Sequence, residues 1–326
     1  MKRIQIYIIL FMVLSWMSSC DRNEVGDVEF GVRLKNDITD IHVGEEVVFL
    51  FDGNVDYITF FSGEMGNNYA NISRDSADLS ALQLECTIAQ KYTDKEYRSR
   101  EVIHAYISED FDGNYNLENI QAATWRKISG REFNRIAVPM TEKSTSEEVS
   151  SMVDMSQYKE TPFYVAFQYN APKRVDVPTS NNSNLGQWTH APRVDINPLS
   201  LIKTTVEGQV VTWNNPMLDW GFRVVYEKSM QKSNYLVEEG GLLFQPLAGK
   251  EYTDDDVIVW MISRLIKPWE IERDRGIAIK PTSAYLSSYS HVYTKPGTYQ
   301  VTFIATNANI WDTDRAIREI TLTVKE

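Results

Sequence analysis

Most of the chain beyond residue 27 alternates between apolar and polar positions in short runs. Such alternation occurs over 28–34 near the beginning and over 298–305 and 320–324 near the end, whereas 47–51 and 57–61 are short and mainly apolar runs. Alternation with a period of two indicates β-strands that bury one face. Gly, Pro, Asn and Asp residues, which favour turns, separate the runs. The pattern therefore predicts an all-β protein.

The strands at the two ends are too few to close a core by themselves, because a sheet needs a second layer over its apolar face. We therefore expect 28–75 and 285–326 to form one discontinuous sandwich, with two separate small modules as the alternative. The insertion between them has its own strand pattern, which predicts a second domain over 76–226. The remaining segment, 227–284, is interpreted as a connector packed on the sandwiches, with its apolar run 257–262 docked on a core.

Several stretches of the sequence resemble known β-domains. Residues 44–66 and 291–324 resemble the front and back halves of a PKD domain, a small immunoglobulin-like sandwich, and the back half includes a Pro-Gly turn at 296–297. Residues 106–196 are similar to the galactose-binding-like jelly rolls of secreted bacterial proteins. The resemblance implies a PKD/immunoglobulin-like sandwich that is interrupted by an inserted jelly-roll β-sandwich.

The chain as a whole resembles a family of Bacteroidota outer-membrane lipoproteins of unknown function with PKD-like ends. The residues that carry this resemblance are Ser62-Gly63-Glu64, Trp260-Met261-Ile262-Ser263 and Gly276-Ile277-Ala278-Ile279-Lys280. Such proteins resemble accessory lipoproteins found beside SusC/SusD-like glycan importers. The resemblance implies a non-catalytic protein that binds polysaccharide or oligosaccharide at the cell surface for capture and uptake, with the importer as a partner.

Residues 1–19 have the pattern of a signal peptide. A short positive start precedes an apolar run over 4–17, which is too short to predict a membrane-spanning helix. The run ends in Met-Ser-Ser-Cys, which resembles a bacterial lipobox and implies cleavage before Cys20 and lipidation of its thiol. Residues 20–27 are then a lipid anchor and an acidic tether, and this tether resembles a surface-export signal. We expect a lipid-anchored protein of the outer membrane that faces the cell exterior, with an ordinary secretory signal as the alternative.

Lipidation of Cys20 leaves Cys86 without a partner for a disulfide. Cys86 alternates with Leu82, Leu84 and Ile88 in an apolar run, and it therefore has the pattern of a small core residue. We expect packing, and not a disulfide, to stabilise the protein.

The charge of the chain excludes some partners. Lys and Arg number 33 against 45 Asp and Glu, which gives a net charge of −12. Binding to nucleic acid needs clustered positive charge, and so does electrostatic docking on anionic membranes. We therefore expect no nucleic-acid partner, and membrane association only through the lipid anchor.

Aromatic residues in polar loops are the candidate ligand-binding residues. Sugar C–H faces stack on aromatic rings, and neighbouring amides or carboxylates can bond the hydroxyl groups. Trp188 follows a polar run that contains Asn184 and Gln187, and Trp220 and Trp269 also follow loop-like residues. These five residues form the candidate site. By contrast, the remaining strand tryptophans fit a core better: Trp125, Trp213 and Trp260.

Alternate acidic and amide residues suggest one candidate metal site. Asp110, Asp112 and Asn114 have the spacing of a calcium-binding loop, and their side-chain oxygens suit a hard cation. The position expected to hold a Glu carries Gln121 instead. A turn that is closed by its own Asp and Asn side chains is the alternative.

The sequence contains no recognised catalytic motif. None of the four His residues has zinc-ligand spacing, and neither a nucleophile elbow nor a phosphate-binding loop is present. We therefore expect a binding protein without a cofactor, apart from the structural calcium considered above. A protein-binding adhesin or surface-assembly subunit is one alternative, because sandwiches serve that role too. A glycoside hydrolase is another, since its two carboxylates cannot be singled out from sequence.

Overall fold

The computed structural model describes residues 24–36, 41–93, 97–141, 146–172, 191–229, 234–246 and 256–326. The chain divides into two compact units, of which the first comprises Met1–Asp75 with Glu272–Glu326 and the second comprises Ser76–Ile271. The prediction of an all-β protein is confirmed, because the described residues form four sheets and one short α-helix, Leu117–Ala122. None of the described helices is long and apolar enough to cross a membrane.

Strands from both ends of the chain share the sheets of the first unit. The three-stranded sheet has the order β1-β3-β17, with β1 at Gly31–Leu34, β3 at Glu46–Asp52 and β17 at Ser288–Val292. The five-stranded sheet has the order β16-β4-β18-β19-β2, with β16 at Ile277–Lys280, β4 at Tyr57–Phe61, β18 at Gly297–Ala308, β19 at Thr313–Lys325 and β2 at Ile41–His42. All pairs are antiparallel except β19 with β2.

Aromatic rings from both ends meet in the core of the first unit. The ring centroid of Phe303 on β18 lies 5.0 Å from that of Phe49 on β3 and 5.1 Å from that of Phe60 on β4. All three side chains are buried. Burial of one such side chain contributes about 1.5–3 kcal/mol. Because Phe303 comes from the far end of the chain, this core needs both ends.

The second unit is a sandwich of two antiparallel sheets. The six-stranded sheet has the order β13-β14-β10-β5-β8, with β11 also paired to β10; its strands are β13 (Tyr235–Val237), β14 (Leu242–Phe244), β10 (Arg193–Thr205), β5 (Leu79–Lys91), β8 (Glu147–Asp154) and β11 (Val210–Trp213). The five-stranded sheet has the order β12-β15-β9-β6-β7; its strands are β12 (Arg223–Lys228), β15 (Val257–Ile262), β9 (Tyr164–Ala171), β6 (Ile103–Ser108) and β7 (Arg126–Lys127).

One continuous core lies between these two sheets. Leu84 and Cys86 on β5 share a buried cluster with Phe167 on β9 and Val259 on β15. Alternate residues of β5 face this cluster, as the period of two requires. Burial raises the pKa of the Cys86 thiol well above its ordinary value, so Cys86 is a neutral core residue.

The segment 227–284 differs from its interpretation as a connector. It supplies β13, β14 and β15 to the second unit and β16 to the first, and the second unit ends at Ile271. The apolar run Val257–Ile262 is almost wholly buried and pairs with β9 on one side and β12 on the other. A buried backbone needs partners for its N–H and C=O groups, and a docked loop cannot provide them along a whole run.

Candidate functional site

One open cleft on the second unit contains a tryptophan that sequence reasoning selected. The cleft has a volume of about 570 Å³, and we call it the Trp269 cleft. Its main lining residues are Asp78, Leu79, Lys159, Glu160, Val206 and Trp269. The Trp269 side chain is half-buried, whereas Asp78 and Glu160 are exposed.

Backbone hydrogen bonds fix the two chain segments that carry Trp269 and Asp78. The N–H of Ala77 donates to the carbonyl oxygen of Trp269 at 2.9 Å, and Ser76 forms an antiparallel bridge with Glu270. The carbonyl oxygen of Asp78 accepts a hydrogen bond of 2.9 Å from the N–H of Val206, which follows β10. The cleft is therefore built on the ends of sheet strands, which hold its side chains more rigidly than a free loop does.

A buried lysine supports the segment that carries Trp269. The Nζ of Lys203 on β10 donates to the carbonyl oxygen of Glu270 at 2.9 Å and lies 3.8 Å from the ring centroid of Trp213. The residue has no exposed surface. Burial lowers the pKa of Lys203 to about 8, although the charge of Glu270 opposes the shift. Lys203 thus ties this segment to the central sheet.

The Trp269 cleft combines an apolar ring with groups that bond hydroxyls. The indole face is negative at its centre and attracts C–H groups that carry slight positive charge. The two carboxylates, Asp78 and Glu160, accept hydrogen bonds, and the Lys159 ammonium donates them. Two carboxylates against one ammonium disfavour an anionic ligand, and the ring together with the hydrogen-bonding groups suits one rich in hydroxyls.

The other predicted ligand-binding residues do not join this cleft. Trp188, Asn184 and Gln187 lie outside the described residues, as does the predicted lipidation site Cys20. Trp220 has no exposed surface, and its ring stacks on Phe222 with centroids 5.6 Å apart. The prediction that Trp220 contacts a ligand is therefore wrong.

Trp220 is buried because the loop before it folds back on itself. The Oδ2 of Asp219 accepts 2.9 Å hydrogen bonds from the N–H groups of Asn214 and Asn215. The N–H of Arg264 in turn donates to the carbonyl oxygen of Trp220 at 2.7 Å. These bonds satisfy the backbone of a compact turn, and the turn directs Trp220 into the core while Met217 and Leu218 stay exposed.

The predicted calcium loop is arranged as a turn that precedes the short helix and is closed by its own Asp and Asn side chains. Asp110 Oδ1 accepts hydrogen bonds from the Ser108 hydroxyl and the Thr124 N–H, both at 2.8 Å. The Asp112 carboxylate accepts hydrogen bonds from the Asn114 N–H at 2.9 Å, from its side-chain amide at 2.8 Å and from the amide of Asn119. These bonds lower the pKa of both carboxyl groups. Across the residues that the structure describes, no three His, Cys, Asp or Glu side chains are grouped to hold a metal ion.

Sequence reasoning missed a second cleft on the same unit. It has a volume of about 310 Å³, and we call it the Phe133 cleft. Its rim and wall include Arg126, Phe133, Asn134, Arg135, Gln157 and Tyr158. The sequence signal is a lone aromatic residue within the polar run 129–135, which contains two arginines.

The described chain is thus an all-β protein of two units, with open clefts that have polar rims on the second unit. Residues 19–216 match the family model described as Domain of unknown function (DUF5017), and the chain therefore belongs to this family. The matched range contains the whole Phe133 cleft, whereas Trp269 lies beyond it. Comparisons with curated proteins and with solved structures find no match.

Proposed function

We propose that this protein binds glycans at the cell surface without cleaving them, and that the Trp269 cleft is a binding site. The observation that carries the proposal is the placement of Trp269 beside Asp78, Lys159 and Glu160 in one open cleft. An apolar ring flanked by hydrogen-bonding groups suits a sugar, which has an apolar C–H face and a rim of hydroxyls.

The proposal includes the anchorage and the setting of the protein. Cys20 carries the lipid anchor in the outer membrane, and the tether that follows it lets the protein extend outward. The first unit is taken as a PKD-like sandwich that serves as a stalk, and the second as a galactose-binding-like jelly roll. The protein would concentrate polysaccharide near a SusC/SusD-like importer of a Bacteroidota cell.

Binding at the Trp269 cleft would be weak for each sugar unit. Polar hydroxyls lose water on binding and regain only part of their hydrogen bonds, so single contacts give small affinities. A polysaccharide presents many equivalent units, and a lipid-anchored protein presents many copies, so avidity raises retention. Asp78 and Glu160 are exposed to solvent, whereas catalytic acids of glycosidases are usually desolvated.

The first experiment is native gel electrophoresis of the purified protein through gels that contain neutral plant, host and fungal polysaccharides. We expect at least one polysaccharide to retard the protein. The Trp269→Ala variant should then bind about tenfold more weakly, because a good aromatic contact contributes about 1.4 kcal/mol. Trp311→Ala is the matched control, because Trp311 is 67% exposed but lies on the first unit.

Three outcomes would contradict the proposal. If no polysaccharide retards the protein, the glycan-binding function is wrong. If retardation is the same for wild type and Trp269→Ala, glycan binds elsewhere. If new reducing ends appear during incubation with the retarding polysaccharide, the protein is a glycoside hydrolase.

Protein binding is a second candidate function, and one observation favours it. Ile310 and Trp311 are 82% and 67% exposed at the loop between β18 and β19. Adjacent large apolar side chains on a surface can mark a protein contact. This alternative would be supported if no polysaccharide retards the wild-type protein and if a protein partner that binds wild type does not bind Trp311→Ala.

A further inference from the structure

The Phe133 cleft has an apolar floor and a charged rim. Ile128, Val153 and Met155 are buried beneath it. Arg126 and Arg135 lie on the rim and are exposed. A volume of about 310 Å³ is at the lower end of the usual range for ligand pockets. The cleft therefore fits a small unit with an apolar face and polar edges.

The loop that carries Phe133 is held at its base and near its tip. At the base, the N–H of Gly130 donates to the carbonyl oxygen of Ile136 at 3.0 Å. Near the tip, the Asn134 amide donates to the carbonyl oxygen of Asp154 at 3.0 Å, and its oxygen accepts from the N–H of Asp154 at 2.6 Å. Asn134 also has a φ of 58°, which Asn tolerates better than most residues. The loop is consequently ordered and does not need a ligand to fold it.

Phe133 is 99% exposed at the tip of this ordered loop. An apolar ring that contacts nothing contributes nothing to the free energy of folding. A rigid backbone that presents such a ring beside a cleft instead lowers the entropy cost of binding. Phe133 is therefore placed as a stacking surface for an incoming ligand.

The Phe133 cleft presents two guanidinium groups, those of Arg126 and Arg135, and the carboxylates of Glu109 and Asp154 lie close to it. Arg126 Nη2 lies 2.5 Å from Glu109 Oε1, and its Cζ lies 5.2 Å from the ring centroid of Tyr158. Arg135 donates to the carbonyl oxygen of Lys127. These contacts orient both guanidinium groups, and each has several N–H donors, so it can also bond an anion. Asp154 is the one acidic residue among the lining residues.

The Phe133 cleft and the Trp269 cleft are adjacent along the chain. Gln157 and Tyr158 line the Phe133 cleft, and the next two residues, Lys159 and Glu160, line the Trp269 cleft. The two clefts therefore share the segment 157–160 as part of their walls. The lining of the Trp269 cleft has two carboxylates against one ammonium, whereas that of the Phe133 cleft has two guanidinium groups against one carboxylate.

We propose that the Phe133 cleft binds a negatively charged sugar unit, carrying a carboxylate or a sulfate, of the glycan whose uncharged units occupy the Trp269 cleft. This inference rests on the proposed function and names the charge of the polymer. The ring of Phe133 stacks on the sugar face. Arg126 and Arg135 bond the anionic group, and Gln157 bonds a hydroxyl.

The test compares polymers that differ in charge, by isothermal titration calorimetry with the purified protein. One pair is polygalacturonate against a neutral galactan, and the other is dextran sulfate against dextran. We expect at least one anionic polymer to bind about tenfold more tightly than its neutral counterpart, because a hydrogen bond to a charged group is stronger than one between neutral groups. The pair in which the anionic polymer binds more tightly shows whether the cleft prefers a carboxylate or a sulfate. Added salt should reduce the preference.

Variants assign the preference to the Phe133 cleft. The double variant Arg126→Gln with Arg135→Gln should lose the preference for the anionic polymer, and Phe133→Ser should weaken its binding about tenfold. Two control variants should bind as wild type: Arg100→Gln removes one exposed arginine elsewhere, and Tyr285→Ser removes an aromatic ring that is 76% exposed on the first unit. Circular dichroism checks that every variant is folded.

The outcomes separate this inference from the proposed function. Binding of a neutral polymer through Trp269, without preference for either anionic polymer, overturns the inference and leaves the proposed function intact. The inference is also overturned if the double arginine variant keeps the preference for the anionic polymer and Phe133→Ser binds that polymer as tightly as wild type does. If none of these four polymers binds and no polysaccharide of the native-gel panel retards the protein, both the inference and the proposed function are overturned. A protein partner that depends on Phe133, without binding of any polysaccharide, would assign the loop to a protein contact and overturn the inference.

Discussion

Lys203 shows how a single buried charge can make stability depend on pH. Its ammonium group has no exposed surface and is held by the carbonyl oxygen of Glu270 and by the ring of Trp213. Burial lowers its pKa from 10.5 to about 8. Between these two values the unfolded chain binds more protons than the folded chain, so the free energy of unfolding rises with pH.

We therefore expect Lys203→Met to change the pH dependence of stability. Below about pH 8 wild type carries the full cost of a buried ammonium, about 3 kcal/mol, and that cost disappears as the pH approaches about 10.5. The stability of the variant relative to wild type should fall over this interval. Urea unfolding from about pH 7 to about pH 10 measures it. The stability of Lys35→Met, a change at an exposed position, should depend on pH as that of wild type does. If the stability of Lys203→Met also changes with pH in parallel with wild type, the pH dependence does not arise from Lys203.

Some single residues could be predicted from the sequence, and others could not. Cys86 sits in strict alternation with Leu82 and Leu84, so its burial follows from the period of the strand. Trp220 lies at the end of a loop, as the sequence predicts. The hydrogen bonds within that loop nevertheless direct the ring into the core, and the local sequence pattern does not reveal this arrangement. Phe133 could not be predicted either, because an apolar residue within a polar run is compatible with a buried side chain and with an exposed one.

At the scale of elements, the loop over 129–136 depends on one side chain. Asn134 bonds both backbone groups of Asp154 and adopts a positive φ. Asn134→Gly keeps the backbone conformation but loses both hydrogen bonds, each of which contributes about 1 kcal/mol. Asn134→Ala loses the same bonds and adds about 1–2 kcal/mol of backbone strain. The loop should therefore open more readily in both variants.

Hydrogen exchange measured by mass spectrometry tests this expectation. Amides over 130–135 should exchange faster in Asn134→Gly than in wild type, and fastest in Asn134→Ala. Asn214→Ala, in a different loop, should leave exchange over 130–135 unchanged. Equal exchange in wild type and both Asn134 variants would show that the loop is held by other contacts.

The strand pattern predicted elements better than it predicted their partners. The period of two located most of Gly297–Ala308, which has one face in a core, and a short apolar run bounded by turn residues located Tyr57–Phe61. The same pattern could not show that Val257–Ile262 is a central strand, because this run is apolar on both faces and lacks alternation. Pairing is set by contacts between distant segments, which a local pattern does not contain.

At the scale of the molecule, the second unit is continuous in sequence and contains its own core. The residues of its main buried cluster extend from Leu79 to Ile266. We therefore expect a fragment comprising 76–271 to fold by itself, with a cooperative urea transition followed by circular dichroism. A fragment comprising 272–326 should be unfolded, because its strands lack β3 and β4. Absence of a cooperative transition in the 76–271 fragment would contradict this independence.

The shared sheets of the first unit also have a consequence for synthesis. Strands β3 and β4 leave the ribosome long before β17 and β18, their partners in the ladders. Until translation reaches those last strands, two strand edges rich in phenylalanine stay open, and open edges recruit other chains. A chaperone that shields the unfolded chain until its last strands can pair should therefore limit aggregation. A copy that terminates early would keep these edges open permanently and become a substrate for proteolysis.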